Sequence, residues 1–262
     1  MTNSTLHSPF WLEPAPVMFP PTNLALLEPD GLLAVGGALT PEWLLQAYSN
    51  GIFPWFNPGE PILWWTPSPR SVLWIDDLKI NRSLRKTLQK LEWDDTLTVT
   101  LDQNFSEVMQ ACATVPREGQ EGTWISAEML DAYQSLHQSG HAHSVEVWQD
   151  DHLVGGLYGI AIGKMFFGES MFSKVSDSSK IALVALAMQL KAWGFIAIDT
   201  QVETPHLMSL GARLIPRIEF EALIQQQMSQ TFPPQKWQFS IDWADAAYGH
   251  TQAQRNLTKL VD

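Results

Sequence analysis

Residues 140–173, GHAHSVEVWQDDHLVGGLYGIAIGKMFFGESMFS, and residues 178–200, SSKIALVALAMQLKAWGFIAIDT, decide how this chain folds. Short runs rich in β-branched and aromatic residues predict strands over 143–148, 153–162 and 164–168. The polar run Gln149-Asp150-Asp151-His152 turns the first of these into the second. An apolar stretch too long for a strand predicts a helix over 178–193, stopped by Gly194, and a further strand over 195–200. Strands followed by a crossing helix and another strand imply a mixed sheet with helices on its faces.

Upstream the alternation continues, with strands expected over 71–75 and 97–101 and helices over 82–91, 105–114 and 126–139, the last closed by Gly140. The fold class is therefore α/β (α+β). Before residue 71 the pattern changes: prolines at 9, 14, 16, 20, 21, 29, 41, 54, 58, 61, 67 and 69 exclude long regular elements. One helix interrupts this stretch, with Thr40 as N-cap, Pro41 in its first turn, an apolar face of Trp43, Leu44, Ala47 and Tyr48, and Gly51 ending it. The expected organisation is a small irregular N-terminal domain over 1–70 and a mixed-sheet domain over 71–262.

Composition narrows the function classes. A chain of 262 residues, 45% of them hydrophobic, can bury a substantial core. No run of eighteen apolar residues occurs, and the N-terminus has neither a basic stretch nor a continuous apolar one, so the expectation is a cytosolic protein without a membrane span. The single cysteine, Cys112, excludes an internal disulfide framework and reads as a small buried helix residue. A net charge of −12 argues against indiscriminate nucleic-acid binding, so an RNA partner needs a local basic patch. Arg82, Arg85 and Lys86, with Lys90 continuing the stripe, recur on one face of the helix over 82–91 and supply the only concentrated one, with Arg70 shortly before it. Twelve tryptophans, several in loop-like sequence, offer faces for stacking on bases or sugars.

The strings at 29–56 (PDGLLAVGGALTPEWLLQAYSNGIFPWF), 61–73 (PILWWTPSPRSVL), 121–125 (EGTWI), 140–148, 155–159 (GGLYG), 166–173 (FFGESMFS), 198–202 (IDTQV) and 209–212 (SLGA) together resemble the leucyl/phenylalanyl-tRNA–protein transferase family, in the family's order. The resemblance implies a small N-terminal domain before a GNAT-like (acetyltransferase-like) domain. The implied activity is transfer of Leu, Phe or, less efficiently, Met from aminoacyl-tRNA to the N-terminus of acceptor proteins. It further implies a basic first acceptor residue, degradation of the product by the N-end rule, no metal, no cofactor and a monomer. Acetyltransferases cradle the CoA pyrophosphate with a glycine-containing loop opening the central helix. Here the stretch at 173–183, SKVSDSSKIAL, has no glycine, consistent with acyl transfer without CoA.

The candidate site residues follow from pattern and resemblance together. Asp199 and Gln201 lie two apart on a strand and so share a face. The resemblance gives Gln201 to the attacking amine, whose hydrogen bond its side-chain oxygen can accept, and Asp199 to its support. Glu169 enters after the apolar run KMFFG, where a carboxylate is either paired or chemically active, and by resemblance faces the aminoacyl end. Leu157, Phe166, Met171 and Ile198 match the family's amino-acid slot, and Trp55 and Trp124 match the tryptophans holding the terminal adenosine. Thr204 replaces an Asn that some members carry beside the Gln. The region of Arg82, Arg85 and Lys86 corresponds to the acceptor-stem contact. His141 and His143 alternate on one face but lack a third ligand nearby, which favours hydrogen bonding over metal. The rival reading is a carbohydrate-active hydrolase or binder, with Glu169 and Asp199 flanking a glycosidic bond and Trp faces on sugars.

Overall fold

A computed structural model describes residues 8–91, 96–115, 123–232 and 235–248. In chain order the strands and helices begin with β1 (Phe10–Leu12), β2 (Leu32–Gly36), α1 (Pro41–Ser49), β3 (Phe53–Pro54) and β4 (Leu63–Trp65). They continue with β5 (Arg70–Trp74), α2 (Arg82–Leu91), β6 (Leu97–Leu101), α3 (Phe105–Thr114), α4 (Ala127–Gln138), β7 (Ala142–Gln149), β8 (His152–Ile162) and β9 (Met165–Ser173). The last elements are α5 (Ser178–Ala192), β10 (Ala197–Gln201), α6 (Pro205–Ser209), β11 (Arg213–Ile215), α7 (Arg217–Met228) and α8 (Trp243–Tyr248).

The mixed α/β architecture is the one the alternation implied. A seven-stranded sheet runs β11-β5-β10-β9-β8-β7-β6, antiparallel throughout except for the β10–β9 pair, which α5 connects. The β7–β8 hairpin turns on Asp150 and Asp151, both at positive φ (47° and 63°), where short polar side chains tolerate the left-handed region. The Pro-rich N-terminal stretch is more ordered than expected: its short strands form a second sheet, β1-β2-β4-β3.

Each face of the large sheet carries its own core. On one side Tyr158, Ile160, Phe167 and Phe172 pack with α1, α3, α4 and α7, and the N-terminal sheet is continuous with this layer through Leu33, Trp43 and Trp64. On the other side Leu157, Phe166 and Ile198 pack with α2, α5 and Trp237 from the C-terminal segment. Helix α5 runs deeply buried along most of its length, so it is apolar nearly all round and not amphipathic. Cys112 is buried in α3, as its helical context suggested.

Candidate active site

Two irregularities in adjacent strands create the site. Between β8 and β9 the register shifts, with Tyr158 opposite Ser170 and Gly159 opposite Gly168, so Glu169 is an extra residue bulged out of the ladder. The parallel ladder between β9 and β10 ends at Phe167 opposite Asp199, two residues before Glu169 and Gln201. Past that pair the strands are no longer joined, and the two polar side chains meet in the opening.

Glu169 is half-buried and accepts from the Tyr48 hydroxyl at 2.7 Å, the Tyr133 hydroxyl at 3.0 Å and Gln201 Nε2 at 2.7 Å. Tyr48 from α1 and Tyr133 from α4 are fully buried, and their hydroxyls also bond each other. Burial pushes the Glu169 carboxyl up to about 7; the tyrosine and glutamine hydrogen bonds oppose the rise, and the Asp199 charge adds to it. Burial likewise pushes both phenols well above the ordinary tyrosine value, so they remain donors.

Gln201 closes β10 at φ 62°, in the left-handed region where a Cβ-bearing residue is strained. Its backbone N–H donates to Asp199 Oδ1 at 2.9 Å, a local bond that holds this conformation. Asp199 is fully buried and takes a bidentate bond from Arg70, with Nε to Oδ1 at 2.9 Å and Nη2 to Oδ2 at 2.7 Å. Arg70 also donates to the Gly51 carbonyl at 3.0 Å and lies between the Phe53 and Phe220 rings, 4.7 and 4.6 Å from their centroids. A buried charge pair of this kind needs every hydrogen bond it has. The same-face reading of Asp199 and Gln201 thus brings them into one network but gives Asp199 a different place: it holds the glutamine through its backbone and has no exposed surface. A carboxylate so enclosed cannot flank a glycosidic bond together with Glu169, which removes the hydrolase geometry.

The four residues expected to form a slot are two cross-strand pairs, Leu157 opposite Met171 and Phe166 opposite Ile198, on three neighbouring strands. All belong to the core on the α5 side, with Met171 half-buried at its margin. Tyr48 and Tyr133 belong to the opposite core. Trp55 is 45% exposed and tilts against Trp65, whereas Trp124 is only 8% exposed and packs in the core. The Thr204 hydroxyl accepts from the Leu207 N–H at 3.2 Å as the cap of α6, so its oxygen serves the helix, not Gln201. Arg82, Arg85 and Lys86 are exposed on α2, and none forms an ion pair with a described residue.

Arg70 is therefore no part of that basic surface, although sequence proximity suggested it. His143 is an internal hydrogen-bonding group: its Nδ1 lies 2.8 Å from Asp102 Oδ2, and its ring stacks on Trp237 at 3.6 Å. At the start of α5 the Ser179 N–H is bound to Ser173 Oγ at 2.9 Å and Ser178 Oγ reaches the Val154 carbonyl at 2.9 Å. Sequence reasoning missed Tyr48, Tyr133 and Arg70. The available signal was chemical: a tyrosine on a buried helix face must find an acceptor, and an arginine inside a strand must find a carboxylate.

The mixed sheet carries, where β9 and β10 part, a buried amide–carboxylate network of Glu169, Gln201, Tyr48 and Tyr133. The leucyl/phenylalanyl-tRNA protein transferase family matches residues 72–225, and the N-terminal domain of that family matches residues 37–68. The chain is 66% identical over 238 residues to a leucyl/phenylalanyl-tRNA–protein transferase of Hydrogenovibrio crunogenus, covering 91% of each chain. It is 58% identical over 225 residues to the enzyme of that name from Nitrosomonas eutropha, covering 86% of this chain and 94% of that one. The chain belongs to the leucyl/phenylalanyl-tRNA protein transferase family. Among solved structures, a GCN5-related N-acetyltransferase from Kribbella flavida aligns at TM-score 0.30 and 13% identity, over 68% of this chain and 61% of that one.

Proposed function

We propose that this enzyme moves leucine or phenylalanine, and methionine less efficiently, from aminoacyl-tRNA to the N-terminal α-amino group of an acceptor protein, with Gln201 orienting the amine. One observation carries the role of Gln201: its amide is anchored by Nε2 on Glu169 and its backbone by Asp199, which leaves Oε1 as the acceptor presented at the opening. The donor ester is already activated, and an α-amino group with a pKa near 8 is partly neutral at physiological pH, so no strong base is needed. The amine nitrogen bonds to the ester carbonyl carbon, the bond to the ribose oxygen breaks, and a proton leaves the nitrogen as one is gained by that oxygen. Oε1 of Gln201 accepts a hydrogen bond from the attacking N–H and aims its lone pair at the carbonyl.

The remaining assignments fit this reading. The donor side chain enters the slot of Leu157, Phe166, Met171 and Ile198, which selects by shape. Trp55 offers an exposed ring to the terminal adenosine, and Arg82, Arg85 and Lys86 face the acceptor stem. The acceptors begin with Arg or Lys, and the modified proteins pass to N-end-rule degradation in the cytoplasm. No helix of the described residues is long and apolar enough to cross a membrane.

The test mixes the protein with labelled leucyl-tRNA and a peptide beginning with Arg or Lys. Label is expected in the peptide and absent when its α-amine is acetylated. Hydrolysis of leucyl-tRNA without peptide labelling would overturn the proposal.

A further inference from the structure

The glycines of the central strands are of two kinds. A Cβ built on Gly155 would lie 2.3 Å from Ser178 Oγ, one on Gly156 2.6 Å from the Val145 carbonyl oxygen, and one on Gly159 2.2 Å from the Phe167 carbonyl oxygen and 2.6 Å from the Phe166 ring. The fold itself forbids a side chain there. Gly168 differs. A Cβ on it would meet only the Asp199 carbonyl oxygen at 3.5 Å and Ile198 Cγ2 at 3.7 Å, both ordinary contacts, and its φ is not positive. Neither packing nor backbone geometry requires glycine at this position.

Its location supplies a reason of another kind. Gly168 stands between Phe166 in the slot and Glu169 in the network, directly after the last paired residues of β9 and β10, and Ile198 of the slot is the side chain its Cβ would face. A methyl group here would stand beside Ile198, one residue from Glu169. The structure assigns Gly168 to substrate passage: its bare backbone keeps open the path along which the donor's α-carbon and ester carbonyl reach Glu169 and Gln201 while the donor side chain lies in the slot. This assignment rests on the slot reading above. The atoms in the passage are common to every aminoacyl group, so the residue positions donors without ranking them.

Gly168→Ala and Met171→Ala, the latter within the slot, are compared in the full-length protein. The readouts are Tm, steady-state transfer from leucyl-, phenylalanyl- and methionyl-tRNA, and Kd for an amide-linked, non-hydrolysable 3′-leucyl-adenosine analogue. Gly168→Ala is expected to keep the wild-type Tm and to lose about tenfold to a hundredfold in analogue affinity, as an overpacked site does. The loss in kcat/KM is similar for all donors. Met171→Ala instead changes their ranking, weakening Leu more than Phe because the smaller side chain loses more contacts in an enlarged cavity. A Gly168→Ala protein that binds and transfers like wild type, beside a Met171→Ala protein with altered ranking, overturns the passage and leaves the slot standing. If neither variant changes affinity or ranking, the slot reading falls and the passage falls with it. A lowered Tm for Gly168→Ala shows that packing does require the glycine and likewise overturns the assignment.

Discussion

Glu169→Gln is expected to stabilise the protein at alkaline pH relative to wild type. The carboxyl titrates at about 7 in the folded chain against an ordinary value of 4.5, chiefly because burial disfavours its charge. A carboxyl whose folded value is raised favours folding in its neutral form. That contribution is complete below the unfolded value, shrinks as pH rises, and is gone once pH passes the folded value. The interval from 4.5 to about 7 corresponds to about 3 kcal/mol. Glutamine keeps the size and can accept from Tyr48 and Gln201 while donating to the Tyr133 hydroxyl, so the three contacts of the carboxylate survive. Urea unfolding of both proteins at pH 4.5 and pH 8 measures the effect. The stability of Glu169→Gln relative to wild type should rise by about 2–3 kcal/mol between the two pH values. The pH profile of wild-type kcat/KM should show a limb near 7, where Glu169 changes charge beside Gln201, and this limb should vanish in the variant. A stability difference that is flat with pH, or that falls, refutes the reasoning.

Other consequences follow from the same geometry. Arg70→Ala leaves the Asp199 carboxylate buried and unpaired, so urea unfolding should show a loss of about 3–5 kcal/mol, and adding Asp199→Asn should restore a large part of it. Glutamate at Arg82, Arg85 and Lys86 should raise KM for aminoacyl-tRNA and flatten its salt dependence, while transfer from a minimal aminoacyl-adenosine donor stays near wild type. Trp55 and Trp124 should separate by exposure: Trp55→Ala weakens donor-analogue binding by about 1–3 kcal/mol without changing Tm, whereas Trp124→Ala, in the core, lowers Tm.

The helices and strands from residue 71 to 200 are largely legible because each is local: periodicity sets the face, and Gly140 and Gly194 mark ends, but the strand expected over 164–168 runs on to Ser173 and carries Glu169 and Met171. The N-terminal sheet was not legible, since strands as short as Phe53–Pro54 exist only through partners far away in sequence, as in Phe10 opposite Ala34. Nor did pattern reach α7, whose Phe220 covers Arg70. Glu169 stands out as a carboxylate after the apolar run KMFFG, and Gln201 by its spacing from Asp199 and by the family resemblance. Their juxtaposition does not, because it depends on a bulge and a ladder ending, both properties of pairing between strands. Tyr48 reads only as part of an apolar helix face, since periodicity reports where a side chain points and not what its hydroxyl finds, and Tyr133 carries no signal of its own. The spacing of Asp199 and Gln201 puts both in one network, but Asp199's partner Arg70 is more than a hundred residues away in sequence, and its nearness to the basic stripe of α2 is no guide to that pairing.

The central claim is that Gln201 orients the attacking amine. Single-turnover transfer by Gln201→Ala, measured beside its affinity for the non-hydrolysable donor analogue, tests that claim most directly. Analogue affinity is expected to stay at the wild-type level while the transfer rate falls by about a hundredfold or more. Transfer at the wild-type rate, or a loss of analogue affinity that accounts for the whole decrease, would contradict it.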